Sequence, residues 1–178
     1  MKTIMLFFSL TLLISFQSYS QLEFEGVIKS NFKTIQLDDG EIKYYNFNNK
    51  SQEIKLYNLD NSLWKTIHLS LDKNHFFEEI LMVSQKTINP DENFEIVYTC
   101  LKYGIASIEE NPESYENKIE FTLNIINESG QKILSVPNSQ SFNLASSNGK
   151  NKLLIYKNIG RSFLDDNETL VYALPNKK

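Results

Sequence analysis

The chain has 178 residues, 18 Lys/Arg against 22 Asp/Glu, a net charge of −4 and one cysteine. A mildly acidic surface with no Lys/Arg cluster argues against nucleic acid and anionic membrane as electrostatic partners. One thiol excludes an intramolecular disulfide, so a domain of this size must stand on packing without that cross-link.

The N-terminus follows a three-part export plan. Lys2 supplies a short positive start, Ile4 to Ile14 form an apolar run broken only by Ser9 and Thr11, and Ser18-Tyr19-Ser20 places small residues at −3 and −1 of a cut before Gln21. The run is too short for a transmembrane helix, which needs roughly 20 apolar residues. Residues 1–20 are therefore read as a cleaved signal peptide, and no membrane span is expected afterwards. No cysteine stands beside the cut, so no lipid anchor is expected. The expected mature chain, residues 21–178, is a single domain that is secreted, periplasmic or displayed at the cell surface.

Past residue 20 the apolar period is two. The segments 22–28, 33–37, 41–47, 52–59, 63–71, 76–84, 94–102, 131–136, 140–144, 151–157 and 169–174 are short and rich in Ile, Leu, Val, Tyr and Phe. Turn residues bound them. Asp38-Asp39-Gly40, Asp60-Asn61-Ser62, Asn127-Glu128-Ser129-Gly130 and Ser147-Asn148-Gly149 each separate two apolar runs. In Lys118 to Ile125, Ile119, Phe121, Leu123 and Ile125 share one face while Lys118, Glu120, Thr122 and Asn124 share the other, which predicts a half-buried strand with one wet face. Residues 104–117, acidic and containing Pro112, read as an irregular surface loop. No interval shows the 3.6-residue period of an amphipathic helix. Weak similarity between Tyr44–Ile67 and Ile119–Val136 suggests repeated hairpin units. The expected fold is all-β with antiparallel sheets, arranged as propeller-like blades or, alternatively, as a two-sheet β-sandwich.

Several strings carry a resemblance. They are Lys43-Tyr-Tyr-Asn-Phe47, Lys55-Leu-Tyr-Asn-Leu-Asp-Asn-Ser-Leu-Trp-Lys-Thr-Ile67, Asp91-Glu-Asn-Phe-Glu-Ile-Val-Tyr98, Ile125-Ile-Asn-Glu-Ser-Gly130, Lys152-Leu-Leu-Ile-Tyr156 and Val171-Tyr-Ala-Leu-Pro175. Together they resemble a β-rich, propeller-like module of secreted Bacteroidetes proteins. That module often precedes a type IX secretion sorting domain, which has no counterpart in residues 1–178. The resemblance implies an exported, non-catalytic module and transfers no functional residue.

The side chains offer little catalytic chemistry. Cys100 shares a strand face with Phe94, Ile96 and Tyr98, which predicts a buried, inert thiol. His68 and His75 lack the further ligands of a zinc site. Asp91, Asn93 and Glu95, and separately Asp165, Asp166, Asn167 and Glu168, gather oxygen donors suited to calcium, but neither set is complete and the favoured reading of each is a solvated turn. There is no Gly-x-Ser-x-Gly elbow and no glycine-rich phosphate loop. The sequons at Asn49, Asn127 and Asn167 are idle in a bacterial chain. Tyr44, Tyr45, Tyr57 and Trp64 fall on neighbouring expected strands, where an exposed row would stack on sugar rings and a buried one would fill the core.

No catalytic, cofactor-binding or metal residue is therefore assigned, and no cofactor is expected. The leading expectation is a non-catalytic binding or structural module with a protein or glycan ligand. A carbohydrate-binding module predicts an exposed aromatic row near Trp64. A small secreted hydrolase predicts two carboxylates facing each other across a cleft.

Overall fold

The computed structural model describes residues 31–91, 93–108, 111–158 and 167–175, together with Phe24 and Val27. The export segment 1–20 and most of the strand expected at 22–28 lie outside the described residues. Eleven strands are described: β1 (Lys33–Gln36), β2 (Ile42–Asn48), β3 (Glu53–Tyr57), β4 (Leu63–His68), β5 (Phe76–Ser84), β6 (Glu95–Ile108), β7 (Asn111–Asn127), β8 (Lys132–Pro137), β9 (Ser139–Ser147), β10 (Lys150–Asn158) and β11 (Asn167–Leu174). No helix occurs among the described residues.

The strands form three antiparallel meanders in chain order: β1-β2-β3-β4, then β5-β6-β7-β8, then a three-stranded sheet with β10 between β9 and β11. None closes into a barrel. Tight turns set the registers. At Asp38-Asp39-Gly40, Gly40 takes φ +91° and its N–H bonds the Leu37 carbonyl at 3.0 Å. The β7–β8 turn ends at Gly130, φ +81°, where a Cβ would stand 2.3 Å from the His68 carbonyl oxygen, so only glycine lets this turn lie against the end of β4.

The middle sheet is buried on both faces, and its strand β6 shows how. Phe94 to Cys100 are all buried. Ile96, Tyr98 and Cys100 join Tyr45, Ile54, Leu56 and Ile67 of the first sheet in one core. Val97 points the other way, with Leu123, Ile125 and Val136, into a second core shared with Leu153 and Ile155 of the third sheet. Two cores on opposite faces explain why the part of β6 from Ile96 to Leu101 is apolar at successive positions but for Thr99.

The structure departs from the sequence reading in two places. The face of β7 expected to be wet is buried at Thr122 and Asn124, because the first core extends over it. Asn124 is satisfied there by the Ser135 hydroxyl, which donates to its Oδ1 at 2.8 Å, and by the Thr122 carbonyl at 3.3 Å. Residues 104–117 are also no surface loop. Apart from residues 109 and 110, which lie outside the described set, they extend β6 and β7 as a ladder from Gly104↔Lys118 to Ser107↔Tyr115, after which the register shifts to Ile108↔Asn111. Backbone pairing satisfies such a ribbon whatever its side chains are, so an apolar pattern is not needed to form it.

Candidate functional site

Strand alternation splits the four aromatics Tyr44, Tyr45, Tyr57 and Trp64 between two faces. Tyr45 turns inward, where its hydroxyl accepts the Ile80 N–H at 3.4 Å. Trp64 is half-buried and stacks on Phe94, with ring centroids 5.3 Å apart, while the Lys43 ammonium stands 4.7 Å from the Trp64 ring centroid. Tyr44 and Tyr57 occupy the opposite face, where Phe32 meets them edge-on at 6.0 and 5.0 Å. No exposed row forms around Trp64.

The polar candidates also scatter. Cys100 is buried, and burial pushes its thiol up to about 12, far from a nucleophile's range. His68 is exposed at the end of β4, and His75 lies in a turn with its Nδ1 3.2 Å from the Lys73 carbonyl. No group of three His, Cys, Asp or Glu side chains among the described residues is placed to hold a metal ion. Asp91 serves its own turn, accepting from the Asn89 amide at 2.6 Å and the Asn93 N–H at 2.9 Å. Asp165 and Asp166 lie outside the described residues, and Glu168 pairs instead with Lys157 at 3.2 Å.

Glu95 and Asp38 show the strongest local electrostatics. By alternation Glu95 shares the face of Val97; it is fully buried, and neither carboxylate oxygen has a hydrogen-bond partner. Burial, reinforced by the negative charge of Asp91, raises it to about 7. Asn89 works the other way through its side chain and backbone, without reaching hydrogen-bond geometry to either oxygen. Asp38 is the opposite case. Partial burial opposes its charge, but the N–H groups of Lys86 and Gln85 and the hydroxyls of Thr87 and Ser84 outweigh that and hold its pKa below the ordinary value. Its Oδ2 accepts from Gln85 N–H at 3.0 Å, Lys86 N–H at 3.1 Å and Thr87 Oγ1 at 3.0 Å. These contacts clip the first sheet to the chain leaving β5, beside the parallel bridge Leu37↔Val83. The shallow hollows around the β9–β10 turn are lined by residues such as Ser146, Asn148, Lys150 and Lys152 and hold no carboxylate pair.

What the structure does bring together is an apolar shelf. On the face of the middle sheet that turns toward the third, Phe76, Leu101 and Phe121 are register partners in one row, and Tyr103 and Ile119 are partners in the next. Phe76 is 53% exposed, Tyr103 63% and Ile119 49%, while Leu101 and Phe121 are half-buried. The Phe76 and Tyr103 rings touch at 5.9 Å between centroids. The same face further along, at Val97, Leu123 and Ile125, is covered by the third sheet. Sequence reasoning missed the shelf because its members come from three strands. The available signal was the mirrored spacing of Leu101 and Tyr103 against Ile119 and Phe121 about a turn near 110.

Comparison with protein-family models, with curated proteins and with solved structures gave no match.

Proposed function

We propose that the chain is an exported, non-catalytic binding module that holds a partner protein on the shelf of Phe76, Tyr103 and Ile119. One observation carries this reading: three large apolar side chains stand exposed and contiguous on the same sheet face. Isolated exposed hydrophobics are ordinary, whereas a contiguous group marks an interaction site. The N-terminal export plan and the resemblance to secreted Bacteroidetes modules support a location in the periplasm, at the cell surface or outside the cell. The three consecutive meanders are compatible with blade-like units, but burial of the middle sheet on both faces favours a layered, sandwich-like arrangement. Glycan binding is the second reading; the splitting of Tyr44, Tyr45, Tyr57 and Trp64 between two faces deprives it of the aromatic row it would use.

Site-directed photo-crosslinking in the producing cell tests the reading. A photoreactive residue at Tyr103 is expected to give one discrete protein adduct that Phe76→Ser with Ile119→Ser abolishes, while circular dichroism and melting stay near wild type. The same label at Val171, an equally exposed position on the third sheet, is expected to give none. Equal adducts at both positions, or none at Tyr103, would sink it.

A further inference from the structure

At the end of β5 opposite the shelf, the chain leaving that strand touches all three sheets. The N–H groups of Gln85 and Lys86 donate to Asp38, in the β1–β2 turn, at 3.0 and 3.1 Å. Those of Thr87 and Ile88 donate to the Ser84 hydroxyl oxygen at 2.9 and 3.1 Å. Ile88 packs against the second core, and Thr87 lines a hollow with Leu144, Lys152 and Leu174 of the third sheet. Residues 85–88 belong to no strand, so side-chain oxygens, not a ladder, receive their amides.

Glu95 sits at the foot of this segment, as the register partner of Ser84 on β5 and of Asn127 on β7. Its side chain is wholly buried and both oxygens are unpartnered, a setting that suits a neutral carboxyl and penalises an anion. Its surroundings give the anion little relief. Asp91, on the same connection, and Asp38, in the β1–β2 turn, both act on it as negative charges. Ser84 is neutral and donates to Asp38, while the Asn127 Oδ1 is taken up by Ser129 and Gln131 of its own turn. Asn89 favours the charge but stops short of bonding geometry. Lys86 is exposed, and alternation turns Lys152 to the face opposite Leu153 and the second core.

We propose that residues 85–88 form a proton-controlled latch: a neutral Glu95 lets them close on Asp38 and the second core, and loss of its proton releases them while the three sheets stay folded. Opening admits the water that the closed form denies the anion. The closed form holds the proton up to about 7 against an ordinary 4.5. Its advantage is therefore full below the ordinary value, is lost as pH rises between the two values and stays level above them. That difference lets the opening equilibrium move by up to roughly 300-fold. Asp38 adds nothing to this step, because its donors hold its pKa below the ordinary carboxylate value and it stays ionised throughout the window.

Native-state hydrogen exchange by NMR on the mature chain, with each rate divided by its intrinsic rate at the same pH, tests the latch. Protection of the Gln85, Lys86, Thr87 and Ile88 amides is expected to fall at least tenfold from pH 5 to pH 8. Below the unfolding transition it is expected to be insensitive to urea, the mark of a local opening that exposes little surface. Leu153 and Ile155, inside the third sheet, are expected to remain better protected and to lose protection as urea is added. Glu95→Gln and Glu95→Met, both uncharged, are each expected to abolish the pH step at 85–88. Protection there that ignores pH, or a step that survives both substitutions, overturns the latch. So does a urea slope equal to that of Leu153, which would make the opening global.

Discussion

Asp38 and Glu95 are both carboxylates beside the connection that runs from β5 to β6, and their surroundings drive them in opposite directions. Asp38 is met by two N–H groups and two hydroxyls, which lower its pKa against the pull of its own partial burial. Glu95 is met by no donor within bonding geometry, so burial and the charge of Asp91 raise it to about 7. Both sit near Ser84, which donates to Asp38 and is the register partner of Glu95. Proximity to polar residues therefore says little; the number of donors aimed at the carboxylate decides whether its charge is stabilised.

The largest expected effect is at Glu95. Its pKa lies near 7 in the folded chain against an ordinary 4.5. Between those values the folded state binds the proton more tightly than the unfolded state, so this group's contribution falls as pH rises through that window and is flat above it. Glu95→Gln removes the charge and keeps the shape. Urea unfolding is expected to show the variant more stable than wild type at pH 8 by up to about 3 kcal/mol. The gain is expected to shrink to near zero by pH 4.5. A gain that does not change with pH would mean that the ionised carboxylate is not what burdens the folded state.

Asp38 supplies the opposite slope and a smaller effect. Its stabilisation is complete above the ordinary value of 3.8 and is lost as pH falls through the lower value of the folded chain. Asp38→Asn replaces a charged acceptor with one neutral oxygen and an amide that cannot accept. The expected loss at pH 7 is about 1–2 kcal/mol, the scale of charge-assisted bonds at a partly exposed site. The loss is expected to shrink as pH falls through the lowered value of the folded chain, below which both chains carry a neutral group. A loss that stays the same size throughout an acid titration would point to shape, not charge, as the basis of the clip.

Neither carboxylate's fate was legible in the sequence, although much of the fold was. The strands of the first and third sheets announce themselves through period-two alternation, as in Glu53-Ile-Lys-Leu-Tyr57 and Ser141-Phe-Asn-Leu144, and Asp38-Asp39-Gly40 marks its turn through glycine's freedom at positive φ. Glu95 also obeys alternation, lying on the face of Val97, but alternation cannot say whether donors reach it. The donors of Asp38 come from Ser84 to Thr87, more than forty positions away, and only the stacking of two sheets brings them together. The ribbon within residues 104–117 escaped notice for a different reason. Glu109, Glu110, Asn111 and Pro112 carry every mark of a loop, while the strands on either side are held by backbone bonds that leave no trace in side-chain pattern. The shelf shares this origin, since Phe76, Tyr103 and Ile119 become neighbours only through register.

A double variant sharpens the contrast at a smaller scale. The negative charge of Asp38 is the last of the influences that raise Glu95. Combining Asp38→Asn with Glu95→Gln is therefore expected to depart from additivity by only a few tenths of a kcal/mol at pH 8. Coupling well above 1 kcal/mol would show the two carboxylates acting as one site, and their opposite behaviour would then need a shared cause.

The smallest expected effect belongs to a carboxylate with a charged partner in place of aligned donors. Glu128, in the β7–β8 turn, meets the Lys65 ammonium of β4 at 3.4 Å, and both side chains are substantially exposed. Water already solvates these charges, and holding two long side chains together costs conformational entropy that offsets most of the attraction. Lys65 also stands 5.7 Å from the Phe94 ring centroid, so its aliphatic stem contributes independently of Glu128. A double-mutant cycle of Lys65→Ala and Glu128→Ala isolates the ion pair from that stem. The expected coupling is no more than about 0.5 kcal/mol, falling further in 0.5 M salt. A coupling as large as the loss at Asp38 would break the comparison, because one exposed cation would then do as much for a carboxylate as four oriented donors.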